Sequence, residues 1–406
     1  MSRPRRHPRS ARPLLTVLLW TVACEHRVDL GLVTSDASVP NDAPMDVSTP
    51  DADEPDMAPV DVEMDVDAPE VTAARCEPSP VAPGRADCRA VCPVGAPDGC
   101  CRAWEAGWVP GISHLRVVPS RGGPLREQHL ASLNPARTNL AVLRFFPSPG
   151  GGTSFGFETF ATPPSSLMTA FAGSLGQAVA LYDPSTGTAR VYNLGDLPQD
   201  RSVPFPEPSV HAWGAGLVGV LPMEVDAQVY LLGHRPGSAE VTILRVESPE
   251  RGTVVVARLR TSRLFDAAEL LTVGDTPWLV LRDESLGQTW LERVALSATT
   301  PRVPVALRAD GACIADGPPG VTRLVATWVM APDEASGREF VLYDPETGVA
   351  DVRRLDPTGG RVERSRALQL VTGATHVVLY RMDGLSRLVV YGPTEPRATS
   401  YRYAPW

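Results

Sequence analysis

An all-β fold is predicted for the chain from about residue 111 onward. Short apolar runs alternate with turn residues, helical periodicity almost vanishes, and one hairpin pattern returns several times. The only stretch with a helical pattern, Leu264 to Leu271, is short enough to be a strand.

The two clearest hairpins are Ala178-Val-Ala-Leu181-Tyr182-Asp183-Pro184-Ser185-Thr186-Gly187 and Glu339-Phe-Val-Leu342-Tyr343-Asp344-Pro345-Glu346-Thr347-Gly348. Asp and Pro start each turn, and Gly supplies the positive φ at which the chain reverses. Related copies run from Val229 through Gly237, Trp278 through Gly287 and Val377 through Gly384, with a weaker one from Leu140 through Gly152. Anchor leucines at 143, 181, 231, 281, 342 and 379 lie 38, 50, 50, 61 and 37 residues apart. Units of this length with four short strands each are the sequence signature of β-propeller blades. The expectation is six blades, or seven if residues 111 to 140 add one. Ala212 through Leu221, rich in glycine, reads as an inner strand, and Ile112 through Val118 reads as the strand that closes the ring beside Tyr401 to Tyr403.

The Leu-Tyr-Asp-Pro-x-Thr-Gly turns at 181 to 187 and 342 to 348 resemble those of Kelch-like and related bacterial β-propellers. Ser285-Leu-Gly287-Gln-Thr289-Trp290 resembles the end of a sialidase-type Asp-box. Both resemblances imply a fold and carry no catalytic residue.

The chain divides into residues 1–23, a signal peptide; 24–74, a linker; 75–110, a cysteine-rich cap; and 111–406, the propeller. Arg3, Arg5, Arg6, Arg9 and Arg12 precede an apolar run from Leu14 to Val22, too short to span a bilayer. Thr21-Val22-Ala23-Cys24 resembles a bacterial lipobox, which implies that Cys24 is lipidated and becomes the new N-terminus. The alternative is an ordinary cut that leaves Cys24 free or disulfide-bonded. Residues 28–74 carry thirteen acidic and no basic residues among frequent prolines, the composition of a disordered, extended stalk. Calcium binding by the aspartates of this stalk lacks the glycine and the closing glutamate of a calcium loop.

Of the net charge of -9, the signal contributes +5 and the stalk -13, which leaves residues 75–406 almost neutral. Such a domain has no basic field for nucleic acid, and no nucleic-acid partner is expected. The chain has no lysine, which excludes a Schiff base and a phosphate-loop lysine. Among seven cysteines, Cys24 aside, Cys76, Cys88, Cys92, Cys100, Cys101 and Cys313 form an even set for three disulfides. Five crowd into the cap, so the remaining one, Cys313, ties it to the main domain. Without a CxxC pair, zinc is the weaker reading, and no metal or other cofactor is expected.

No nucleophile elbow, metal-binding histidine pair or nucleotide loop occurs in the sequence. Channel-lining candidates are His211, Trp213, Glu224, Asp226, Asp275, Trp328, Asp333 and Glu334, which follow or flank predicted inner strands. Each also has an ordinary role as a strand or turn residue, and no catalytic residue is assigned. The features favour a lipid-tethered binding or scaffold module for a protein or glycan at the cell envelope, on an outer membrane or cell surface; a secreted or periplasmic location is the alternative. The competing functions are a propeller-type enzyme acting on carbohydrate or a small ester or lactone, and a structural envelope protein. Whether the chain is an enzyme stays open, with the balance against.

Overall fold

The computed structural model describes residues 76–403, except 80–83, 94–99, 108–110, 119–128, 148–152, 163–166, 174–175, 195–206, 236–237, 249–251, 329–337, 383–384 and 393–396. The signal, Cys24 and the stalk lie outside the described residues.

Six antiparallel sheets follow one another along the chain. Blade 1 is His114–Val118, His129–Leu133, Asn139–Pro147 and Thr153–Ala161; blade 2 is Leu167–Gly173, Gly176–Asp183, Thr188–Asn193 and Ser209–Ala212. Blade 3 is Gly219–Val225, Gln228–His234, Glu240–Ser248 and Gly252–Arg260; blade 4 is Ala267–Val273, Thr276–Asp283, Gln288–Leu296 and Pro304–Arg308, with Cys313–Ala315 continuing its outer edge. Blade 5 is Leu324–Thr327, Glu339–Asp344, Val349–Leu355 and Val362–Gln369; blade 6 is His376–Met382, Leu385–Gly392, Arg397–Arg402 and Cys101–Gly107. The first strand of each blade neighbours the first strands of the blades on either side, and blade 6 meets blade 1. The fold is therefore a closed six-bladed β-propeller, and the described strands between residues 111 and 140 belong to blade 1 and add no seventh. Residues Leu264 to Leu271 contain no helix; Ala267–Val273 is the inner strand of blade 4.

Alternation along each strand sends side chains to the two flanking blades. Val341, Tyr343, Ala350 and Val352 of blade 5 meet Val377, Leu379, Leu388 and Val390 of blade 6. Leu221, Met223 and Tyr230 of blade 3 meet Leu270, Leu279 and Trp290 of blade 4 in the same way. Each such leucine or valine, taken fully from water, contributes about 1.5–3 kcal/mol, so the seams between blades hold the ring together.

The recurrent turn joins the second and third strands and docks on the connection leading to the next blade. In blades 2, 4 and 5 the carbonyls of Gly187, Gly287 and Gly348 accept from the amides of Trp213, Asp316 and Leu370 at 2.8, 3.0 and 2.8 Å. The motif tyrosine seals the same junction: the Tyr182 hydroxyl donates to Gly214 O and accepts from Leu217 N. Tyr343 donates to Val371 O in blade 5. A Cβ on Gly348 would stand 2.7 Å from the carbonyl oxygens of Leu370 and Val371, so this glycine is required by close approach as well as by its φ of 69°.

Register corrects two of the hairpins read from the sequence. Leu143 lies on the third strand of blade 1 and pairs with Phe157 of the fourth, whereas Leu379 lies on the first strand of blade 6 and pairs with Leu388 of the second. The equivalent positions are Leu133, followed by Asn134-Pro135, and Tyr391, followed by Gly392. Tyr391 accepts from the amides of Gly111 and Ile112 on the way to blade 1, the role Tyr182 and Tyr343 play elsewhere. Leu133, Tyr182, His234, Arg282, Tyr343 and Tyr391 each pair with the first residue of a first strand. They lie 49, 52, 48, 61 and 48 residues apart, a more even period than the anchor leucines show.

Two further expectations are corrected. Ile112 through Val118 does not close the ring: His114–Val118 is the inner strand of blade 1, and the closing strand is Cys101–Gly107, antiparallel to Arg397–Arg402. Ala212 through Leu221 is not one inner strand. It spans the end of the outer strand of blade 2, a connection in which Gly214 and Gly216 have positive φ, and the start of blade 3.

The described segments between residues 76 and 107 form a strap along the rim. Glu77–Pro78 adds in parallel to Cys313–Ala315 of blade 4, Arg85–Asp87 adds in parallel to blade 5, and Cys101–Gly107 completes blade 6. The disulfides are Cys76–Cys313, Cys88–Cys100 and Cys92–Cys101. The first fixes the start of the strap to the rim of blade 4; the other two fix residues 88–92 against the strand that closes the ring.

Candidate functional site

Polar groups gather at two places: across the central axis and below blade 4. At the axis, Arg116 is the third residue of the blade 1 inner strand and Glu269 the third of the blade 4 inner strand. These blades face each other across the ring, and the two side chains approach to 4.0 Å, so the pair bridges the channel. Burial raises the Glu269 carboxyl above its usual range, and Arg116 opposes the shift.

His114 and His376 occupy the first position of the inner strands of blades 1 and 6. His376 Nε2 lies 3.0 Å from Ser113 O and its Nδ1 lies 3.0 Å from Thr375 Oγ1, so Nε2 is the nitrogen that donates. Burial, assisted by the charges of Arg116, His376 and Arg137, drives His114 down to about 3; burial also lowers His376. Both imidazoles are thus neutral near pH 7. On the blade 2 inner strand, Thr169 occupies the level of Arg116 and Glu269, and its buried hydroxyl has no partner among the described residues.

Below blade 4, two shallow cavities of about 450 and 370 Å³ share Thr276 and Arg293 and form one groove. The larger is lined by Asp275, Arg302 and Arg308 and by the strand from Val294 to Leu296; the smaller reaches Trp278, Asp310 and Thr358. Sheet register explains the convergence, because Trp278 pairs with Arg293 and Arg293 with Arg308. Residues directly opposite share a sheet face, so the three form a row across blade 4. Gly311 and Gly359 leave room for the Trp278 ring, where a Cβ on either would come within 2.6 Å of it. The indole nitrogen of Trp278 is buried without a partner among the described residues.

Two of these arginines are held in place. Arg293 forks onto Asp310, while Arg302 donates to Asp226 through Nη2 at 2.7 Å and through its backbone amide at 2.9 Å. That bond keeps the Asp226 carboxyl below its usual range. Arg308 has no hydrogen bond or ion pair among the described residues.

The channel-lining candidates scatter. Asp226 and Asp275 sit in the first hairpin turns of blades 3 and 4, and Arg302 brings the two together at the groove. Glu224 lies on the inner strand of blade 3. His211 is on the outermost strand of blade 2, 2.8 Å from Ser209 Oγ, and does not line the channel. Trp213 stacks on Tyr182 in the seam between blades 2 and 3 and Trp328 is buried between blades 5 and 6, so neither reaches the axis. Asp333 and Glu334 lie outside the described residues. His114, Arg116, Glu269 and His376 at the axis, and Arg293, Arg302, Arg308 and Trp278 in the groove, were not singled out from the sequence. The turn from Asp283 to Gly287 was the available signal, because reading outward from it sets Trp278 opposite Arg293. Among the described residues no three His, Cys, Asp or Glu side chains gather as a metal site requires.

The strand topology and these two polar sites define a six-bladed β-propeller with a strapped rim and a groove below one blade. No protein-family model matches the sequence. No curated protein matches it either. Among solved structures, the chain is similar to an auxiliary nutrient binding protein from Bacteroides thetaiotaomicron (9% identity, 72% of this chain and 69% of that one, TM-score 0.46). It is also similar to the hydrazine synthase of Kuenenia stuttgartiensis (12% identity, 68% and 81%, TM-score 0.38) and to a Lactobacillus plantarum protein (16% identity, 60% and 68%, TM-score 0.36). The propeller assignment rests on the strand order of this chain itself.

Proposed function

We propose that the chain is an exported, membrane-tethered β-propeller that acts as a binding module at the cell envelope, taking a glycan or protein segment into the groove below blade 4. The groove carries the reading: it sets fixed arginine forks, a free carboxylate and hydroxyls beside apolar residues, the mixture that ligand sites use to orient a partner. Export and tethering rest on the basic start, the apolar run and Cys24, followed by an acidic stalk able to hold a domain off a surface. The Kelch-like affiliation rests on the two Leu-Tyr-Asp-Pro-x-Thr-Gly turns.

Thr276→Trp fills the groove from a half-buried strand position. Glycan-array and envelope-protein crosslinking signals of the native chain should vanish in this variant while its melting temperature holds. Ligands captured equally by both proteins would place recognition elsewhere. Labelling by a fatty-acid analogue should disappear in Cys24→Ser, and labelling that persists would refute the anchor.

A second reading, a propeller-type enzyme acting on carbohydrate or a small ester or lactone, is favoured by one observation. Glu269, a carboxyl raised by burial, stands beside Arg116 in the channel. Turnover abolished by Glu269→Gln and untouched by Thr276→Trp would support it.

A further inference from the structure

We infer that the groove below blade 4 is a site for an acidic sugar, one whose ring carries a carboxylate or sulfate group. This rests on the binding-module reading and names the ligand class.

Arg293, Arg302 and Arg308 line the larger cavity. Asp310 and Asp226 neutralise the first two, and Asp310 lines the smaller half of the same groove. The cation left without an ion pair among the described residues is Arg308, which is exposed and shares the cavity with the carboxylate of Asp275.

The pairing of Arg293 with Arg308 is a second and independent sign. Like charges directly opposite one another on neighbouring strands destabilise a sheet; Asp310 offsets this at Arg293, and an anionic ligand at Arg308 would offset it on the other strand. Arg293 is fixed by Asp310, whereas Arg308 is free to turn a planar fork toward a carboxylate or sulfate, the geometry in which arginine outperforms a point charge.

The rest of the groove suits a sugar better than a bare ion. Asp275 and Thr276 offer acceptors and a donor for ring hydroxyls, and Ala295, half-buried on the face that carries Arg293 and Arg308, offers an apolar contact for a ring C–H. The ligand is thereby given a direction, with its acidic group at Arg308 and its hydroxyls toward Asp275.

Affinity electrophoresis of the full chain through gels containing polygalacturonate, dextran sulfate or dextran tests the assignment. Retardation is expected with polygalacturonate, with dextran sulfate or with both, and absent with dextran; the first two arms tell a carboxylate from a sulfate. Arg308→Gln should weaken the retarding interaction about tenfold or more, the loss expected of one charge-assisted contact, while Arg308→Lys should restore part of it. Asp275→Asn should also weaken it, because charge alone would be served better without that carboxylate. Equal retardation by dextran, or by polyglutamate, would overturn the acidic-sugar assignment and leave the binding module standing. Retardation by the acidic polymers that survives both Arg308→Gln and Thr276→Trp would remove the groove from recognition altogether.

Discussion

Arg282 donates through Nη1 to Asp316 Oδ1 at 2.7 Å, with both side chains fully buried. The pair occupies the junction that a tyrosine hydroxyl seals in blades 2, 5 and 6. Arg282 Nη2 also donates to Val321 O at 3.0 Å, and Thr289 Oγ1 donates to Asp316 Oδ2 at 2.6 Å, so one charged network fastens turn, strand and connection. Blade 4 thus solves with charge what its sister blades solve with a phenol.

That substitution can be tested. Breaking a buried pair from one side strands the other charge, so Arg282→Ala should lower unfolding stability by about 3–5 kcal/mol in a denaturant titration. Arg282→Tyr combined with Asp316→Ser rebuilds the arrangement of the sister blades and should recover at least half of the loss. A double variant no better than Arg282→Ala would show that the charged network has no tyrosine equivalent at this junction.

The same comparison shows what the sequence makes legible. Turns with Asp, Pro and Gly are local, so the blades at 181 to 187 and 342 to 348 can be read directly. Blade 1 hides its turn because it has no glycine there: Arg137 takes the positive φ of 59°, one position before the place that Gly187 holds in blade 2; blade 6 hides its turn because Gly392 replaces the aspartate. Apolar alternation does not say which of two successive hairpins is the second-to-third, so Leu143 and Leu379 read as anchors although they lie on a third and a first strand. The sites are less legible still. Arg116 meets Glu269 only because blades 1 and 4 face each other, a relation that no local pattern contains.

The strap should be separable into two parts. Cys313→Ser removes the Cys76–Cys313 bridge, which spans 237 residues, and should cost about 2–4 kcal/mol. Hydrogen exchange at the Ser79 amide, which donates to Ala315 O, should become fast. The Cys88 amide, which donates to Gln369 O, should stay protected, because Cys88–Cys100 still holds it. Simultaneous loss of protection at both sites would mean that the strap opens as one unit.

Two glycines with similar backbone angles should respond differently to alanine. Gly252 has a φ of 82° and open space around the added carbon, so Gly252→Ala should cost about 1–2 kcal/mol for the left-handed backbone alone. Gly348→Ala adds a clash with two carbonyl oxygens at 2.7 Å and should cost roughly twice as much or more. Equal melting temperatures would show that the junction between turn and connection yields easily.

His114 and Glu339 should give stability opposite dependences on pH. His114 is pushed down to about 3 by burial and neighbouring charge, so its contribution is present above its ordinary value of 6.5 and is lost as pH falls toward 3. Glu339 is buried at the start of the second strand of blade 5 and is raised from 4.5 to about 7. Burial is the chief cause; Arg354, Arg366, Tyr403 and Arg338 hold the shift back. A carboxyl raised on folding stabilises while protonated, so its contribution is complete below 4.5 and disappears as pH climbs through 7. Glu339→Gln keeps the shape and removes the ionisation, and should make the chain about 1–3 kcal/mol more stable than the native protein at pH 8, with little difference at pH 4. His114→Asn should flatten the acid limb between pH 6.5 and 3 and leave the alkaline limb alone. Denaturant midpoints measured from pH 3 to 9 on the two variants separate the limbs; a Glu339→Gln protein that gains nothing at pH 8 would mean that the surrounding arginines already hold the carboxylate ionised.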